Sequence, residues 1–268
     1  MTNILSLARV TFKGTIRERT FHALFLLALF LFFITPFLTA ISPRQGIQVA
    51  LDFGMSIVSF VGLILAVYMG SNLITKDIDK KTIYSVITKP ISRPQYILGR
   101  FLGMAFVLFS STLLLTVFGL LSYYISIHYF NFTGDKPGWL LFGANFLFTL
   151  EMLLLLVSVA FLISSLSSSS FLPLAITIAV YYSGQSISRV KALFEGWEGK
   201  GLSPVFKAVV ETAYYVIPNL GLFDFKARAA YNVPFSYKEL LSVFSYGILY
   251  TAILLLLTIK IFSKRDIA

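Results

Sequence analysis

The sequence predicts an all-α, polytopic membrane protein with six transmembrane helices. Three observations predict it. Of 268 residues, 57% are hydrophobic and only 13% are charged, with a mean hydropathy of +0.83. A soluble domain of this length carries more charge and shorter apolar runs. Apolar runs occupy 21–41, 53–74, 101–126, 140–162, 171–187 and 240–262, near the roughly 20 residues that a spanning helix needs. Lys and Arg are also distributed unevenly among the segments that separate these runs. Six helices in one bundle make a single transmembrane domain, 1–268, and leave little chain for a second.

Before the first run, 1–20 reads as an interfacial helix. Ile4, Leu5, Ala8, Phe12 and Ile16 recur at helical spacing, and Arg9, Lys13 and Arg17 line a neighbouring row. Such a helix lies at the membrane surface, with apolar side chains at the acyl boundary and cations at headgroups. The first run follows basic residues, and Leu38-Thr39-Ala40 loosely resembles a cleavage site. It is longer than the roughly 7–15 residues of a signal core, so an uncleaved span is expected.

Between the second and third runs lies a polar island, 75–100, TKDIDKKTIYSVITKPISRPQYILGR. It cannot sit in lipid, so it must project from one membrane face. Asp77 and Asp79 offer N-cap chemistry at a helix start. Ile83, Val86 and Ile87 then form a short apolar stripe at i, i+3 and i+4. Pro90 ends the helix and Pro94 permits a turn into the next one. Gly99 and Gly103 form a small-xxx-small pair for close helix approach. A capped helix with an apolar stripe is more than a connector needs, and the island reads as a docking element for a soluble partner.

Glu151 is the only acid deep in a run, which makes it a functional candidate by default. Tyr181, Tyr182, Ser183, Gln185 and Ser186 make the fifth and shortest run polar towards one end. With Glu151, residues Tyr181, Tyr182 and Gln185 are candidates for a substrate path, or for hydrogen bonding between helices. In 188–238, Ser203-Pro204 is a helix start. The apolar run from 205 to 217 is too short to cross, and Pro218-Asn219 breaks it. It is expected to be re-entrant or to lie flat in the interface.

Charge sets the orientation. The N-terminal segment carries Arg9, Lys13, Arg17 and Arg19, the island carries Lys76, Lys80, Lys81, Lys89, Arg93 and Arg100, and the C-terminal end carries Lys260, Lys264 and Arg265. Six spans put these segments on one side, which the positive-inside rule makes cytoplasmic, with both termini there. The segment 189–238 holds seven Lys and Arg on the opposite side. That runs against the rule, which is weak for long loops.

Several chemistries are excluded. There is no cysteine, so there are no disulfides, thiolate metal sites or cysteine nucleophiles. His22 and His128 lie near run ends and read as interface histidines. No H-E-x-x-H or G-x-S-x-G occurs. Gly199-Lys200-Gly201 fails as a phosphate loop: Phe194 replaces the first glycine and no Ser or Thr follows the lysine. The chain is expected to bind no cofactor, metal or ATP of its own. The net charge of +10 fits cytoplasmic loops and anionic lipid better than nucleic acid, because no basic stripe with interleaved aromatics is present.

The island resembles the equivalent loop of ABC-transporter permeases of the exporter-like type-two family. The resemblance runs through Asp79, Thr82, Ile83, Val86, Lys89, Pro90, Ser92, Arg93, Tyr96, Gly99 and Arg100. The end, Phe262-Ser263-Lys264-Arg265-Asp266, and the six-span layout are similar too. Lys81 stands where glycine is common and Arg100 where lysine is common. Nitrous-oxide-reductase maturation permeases are similar in layout.

The resemblance implies an inner-membrane permease that works as a dimer, identical or mixed, with two cytoplasmic ATPase subunits that hold the ATP and Mg. Asp79, Thr82, Ile83, Val86, Ile87, Lys89, Pro90 and Arg93 would form the coupling helix seated in an ATPase cleft. The substrate is unassigned. The alternative is a non-transporting scaffold that anchors an ATPase or maturation complex. An ion-coupled secondary transporter fits less well, since neither internal repeats nor several intramembrane charges are evident.

Overall fold

The structure, a computed structural model, describes residues 2–42, 45–79, 92–130, 138–167, 169–195 and 204–264. Among them it is all helical, without a strand. The elements are α1 (Thr2–Ile16), α2 (Arg19–Ala40), α3 (Gly46–Asp79), α4 (Arg93–Phe130), α5 (Trp139–Leu166), α6 (Phe171–Glu195), α7 (Pro204–Val216), a 3-10 turn (Leu220–Phe223), α8 (Lys226–Ala230) and α9 (Tyr237–Lys264).

Helices α2, α3, α4, α5 and α9 are each long and apolar enough to cross a bilayer, and the chain is an integral membrane protein. The expected fifth run becomes α6. It has 25 residues, a length of about 37 Å at the α-helical rise. Its second half carries Ser183, Gln185, Ser186, Ser188, Arg189 and Lys191, which lowers its apolarity below that of the other five. The helices also overrun their apolar cores: α3 continues through Asp79 and α6 through Glu195. Hydrogen bonding along the backbone does not stop where lipid does.

The described helix ends meet at one pole, here termed basal. Asp77 near the end of α3 bonds to Tyr96 and Arg100 near the start of α4. Arg93 reaches the end of α9, and Ser170, just before α6, donates to Thr75 of α3 at 2.9 Å. Thus α4 and α6 run away from the basal pole, and α3, α5 and α9 run towards it. Helix α2 follows α4, with Phe25 against Phe118 and the Phe32 carbonyl accepting from Ser122 at 2.8 Å. Both α1 and the end of α9 lie at the basal pole.

Helices α3 and α5 form the centre and are mostly buried, while α2 and α9 are largely exposed on the periphery. Polar side chains survive in this core because they are satisfied locally. Ser59, Thr75, Thr112, Thr177 and Thr258 each donate to the carbonyl four residues back, which removes the cost of an orphaned hydroxyl in an apolar bundle.

Helix α1 packs along the first turns of α4, as the small-residue pair predicts. A Cβ on Gly99 would stand 2.8 Å from Leu7 Cδ2, and one on Gly103 would stand 2.5 Å from Thr11 Cβ and 2.7 Å from the Ala8 carbonyl oxygen. Only hydrogen side chains at both positions permit this approach.

Helix α7 begins at Pro204, with Ser203 outside the described residues. It packs on α6. The chain after it turns inward. Leu220, Phe223 and Phe225 are 0–2% exposed, and Phe225 stacks on Phe148 of α5 with ring centroids 4.6 Å apart. The part that packs into the bundle is therefore the segment following Pro218.

Candidate functional site

Two places carry polar groups that the fold does not need for packing alone. The first lies at the basal pole, at both edges of the segment 80–91. Thr82, Ile83, Val86, Ile87, Lys89 and Pro90 fall outside the described residues, as does the side chain of Asp79. The edges are described in full.

Helix α4 starts with one half of a capping box. Ser92 precedes it, and the Gln95 side chain turns back to accept from the Ser92 backbone N–H at 3.1 Å. Arg93 follows, and its Nη1 donates to the carbonyl oxygens of Phe262 at 3.1 Å and Ser263 at 2.7 Å. Carbonyls at a helix C-terminus lack intrahelical partners and carry partial negative charge, so a guanidinium is well placed there. One turn on, Tyr96 stacks on Phe262, with centroids 5.6 Å apart and rings 14° from parallel.

Asp77 closes the arrangement from the other edge. Its Oδ2 accepts from the Tyr96 hydroxyl at 2.5 Å and forms an ion pair with Arg100 Nη2. The two charged side chains are only 13% and 17% exposed. Arg100 Nη1 also donates to Thr11 of α1 at 3.1 Å, and its guanidinium lies 5.6 Å from the Tyr96 ring centre. Lys76 adds an outer ion pair to Glu18, at 3.3 Å. The result ties α1, α3, α4 and α9 together at the two edges of the segment 80–91.

The expectation for Asp77 is corrected here. It does not cap a new helix; it sits in the last turn of α3. Arg100 and Tyr96 claim its carboxylate, so the helix continues through it. Thr11 was not legible as part of this cluster, because its role depends on α1 lying against α4.

The second place lies around Glu151 in the middle of α5. Glu151 is 7% exposed. It faces α9 at Gly247, beside the Ile248 backbone, and neither carboxyl oxygen makes a well-formed hydrogen bond among the described residues. A Cβ on Gly247 would stand 2.5 Å from Glu151 Oε1 and 2.8 Å from its Cγ. The glycine is the space that the acid occupies.

The other path candidates lie on α6, on a different flank of α5. Gln185 Nε2 reaches Met152 Sδ at 3.5 Å, one residue along from Glu151. Tyr181 is half-buried and packs edge-on to Tyr182, which is 66% exposed. The structure thus brings Gln185 to α5 but sets Glu151 towards α9, and Tyr182 turns outward.

Between these flanks sits the inward-turning segment that the sequence reading left unresolved. Asn219 is 6% exposed. It donates from its backbone N to the Tyr246 hydroxyl at 2.9 Å and from Nδ2 to Ser188 at 2.5 Å. It bridges α6 and α9 at the point where Pro218 breaks α7. Pro-Asn was the available signal; which helices it would bridge was not.

Compared with known families, residues 5–267 match a family model described as ABC-2 family transporter protein. No curated protein matches the chain.

Proposed function

The chain belongs to the ABC-2 family of transporter proteins, and from that membership we propose that it is the permease subunit of an ATP-driven exporter in the cell inner membrane. A separate cytoplasmic ATPase supplies the energy, holding ATP and Mg, and two permease subunits make the translocation unit. The basal pole faces the cytoplasm. The segment 80–91, with Arg93 at its edge, is the coupling element: Ile83, Val86 and Ile87 give apolar contact to the ATPase, and Lys89, with Arg93 beside it, gives charge complementarity.

One observation carries this reading. The two edges of that segment are anchored by Asp77 on one side and by Arg93, Tyr96 and Arg100 on the other. A displacement of the loop is therefore transmitted to α1, α3, α4 and α9 together, rather than absorbed by one hinge. For ATP to drive the change, it must bind the two global states with different affinity. The candidates for the substrate path are Glu151 on the α9 flank of α5 and Tyr181, Tyr182 and Gln185 on its α6 flank.

The test is Ile83→Asp with Ile87→Asp. The doubly substituted chain inserts normally, and ATP hydrolysis by the partner no longer drives flux in reconstituted vesicles. Undiminished ATP-dependent flux would refute the coupling assignment. An ATPase that binds while neither chain supports flux of any cargo would favour a scaffold.

A further inference from the structure

We propose that the groove between α1 and α4 is a binding site for one anionic phospholipid of the leaflet at the basal pole. The groove holds about 320 Å³. Leu5, Ala8 and Phe12 line it from α1, and Phe106 and Phe109 from α4, with Arg9 at its edge. Its walls are apolar and open to the outside: Leu5 is 59%, Phe106 53% and Phe109 46% exposed. Phe106 and Phe109 lie on a helix that crosses the membrane, so the medium at this wall is hydrocarbon. A soluble occupant would have to leave water to reach it. An acyl chain reaches it without leaving hydrocarbon.

The cations select the headgroup. Arg9 and Lys13 follow each other at i, i+4 on the flank that borders the groove, and both are exposed. Neither side chain has an ion-pair partner among the described residues. The nearby acid, Glu18, is engaged by Lys76 at 3.3 Å. Two unpaired cations at the mouth of an apolar groove complement a phosphodiester charge above an acyl chain. The groove also persists through a built feature. Gly99 and Gly103 hold α1 so close to α4 that the two helices cannot slide together to fill it. This site is independent of the ATPase and of the cargo.

The test uses the purified full chain in nanodiscs that contain phosphatidylglycerol and phosphatidylethanolamine in equal amounts, with retained lipid counted by native mass spectrometry after transfer to detergent. The wild type keeps phosphatidylglycerol in preference. Arg9→Gln with Lys13→Gln lowers that preference roughly thirtyfold, since each cation near an anionic surface contributes about fivefold. Arg189→Gln with Lys207→Gln removes the same charge elsewhere and leaves it unchanged. In parallel, phosphatidylglycerol with a photoreactive acyl chain labels the peptide that contains Phe106 and Phe109. Excess phosphatidylglycerol competes this label away and soluble glycerol phosphate does not. Equal retention of both lipids by the wild type overturns the proposal. So does an equal loss in both substituted chains, labelling spread evenly along the spans, or competition by glycerol phosphate.

Discussion

Arg93 and Ser263 lie 170 residues apart in sequence, yet Arg93 Nη1 donates to the Ser263 carbonyl oxygen at 2.7 Å. This fastens the start of α4 to the end of α9. Lysine at 93 keeps the charge but loses the planar fork that spans two carbonyls. Arg93→Lys is therefore expected to cost about 1 kcal/mol, within the range for charge-assisted hydrogen bonds at a partly exposed site. Arg93→Ala should cost more, because it also removes the positive charge beside the C-terminal carbonyls of α9. Thermal unfolding in detergent ranks the two; equal melting of both variants and wild type would show that the contact carries no load.

The pair Asp77–Arg100 makes a sharper test, since both side chains are largely buried. Asp77→Asn leaves Arg100 charged and Tyr96 with a weaker acceptor. Removal of one partner from a buried pair is strongly destabilising, and partial exposure reduces that to about 2 kcal/mol. Arg100→Gln should behave alike, and the double substitution should cost less than the sum. A coupling energy near zero in this double-mutant cycle would count against a functional pair.

The approach of α1 to α4 depends on a missing side chain. In Gly103→Leu, the new Cβ meets Thr11 and the Ala8 carbonyl oxygen, the latter at 2.7 Å. A backbone oxygen cannot rotate away, so α1 must lift. Limited proteolysis should then cut the N-terminal segment several-fold faster than in wild type, while the remaining bundle stays resistant. Gly143→Leu is the control, because nothing lies within 4 Å of its Cβ position.

These contacts show what the sequence could reveal and why it stopped short. The apolar runs, the helicity of α1 and the small pair Gly99 and Gly103 were legible because each depends on local composition or spacing. The boundary at Asp77 was misread, because an aspartate after an apolar run looks like a cap until its distant partners, Tyr96 and Arg100, are in place. Glu151 was visible as an odd residue, but its seat against Gly247 was not. That seat is set by the parallel packing of α5 and α9, nearly 100 residues apart. Asn219 was read as a helix breaker, which is half its role; the bridge to Ser188 and Tyr246 is tertiary.

The seat of Glu151 can be tested by a reversal of sign. Gly247→Ala forces a Cβ into the carboxyl group, with Oε1 at 2.5 Å, and overpacking of this kind costs about 1–3 kcal/mol. In a Glu151→Ala background the obstruction is gone. Alanine should then be neutral or better than glycine, by up to about 1 kcal/mol of helix propensity. Melting temperatures of the four proteins decide it: the same substitution at 247 should lower stability in one background and not in the other. The same sign in both would show that Gly247 is kept for another neighbour.

Orientation is the last prediction, and charge alone leaves it contested. The basal pole carries Arg9, Lys13, Arg17, Arg19, Lys76, Arg93, Arg100, Lys260 and Lys264, whereas the opposite pole carries Arg189, Lys191, Lys207, Lys226, Arg228 and Lys238. The second set sits on one long segment, where the rule weighs charge less, and part of it is engaged within the fold. Arg228 is paired with Glu239 at 2.6 Å, Lys226 with Asp224 at 3.4 Å, and Lys191 lies 3.9 Å from the Tyr214 ring centre. At the basal pole Arg9 and Lys13 have no such partners among the described residues, and that pole should remain cytoplasmic. The absence of cysteine makes each introduced thiol unique. Ser6→Cys on α1 should react with a membrane-impermeant maleimide only after the cells are permeabilised. Ser236→Cys, exposed just before α9, should react in intact spheroplasts. The reverse pattern would place the segment 80–91 outside the cell, beyond reach of any cytoplasmic ATPase.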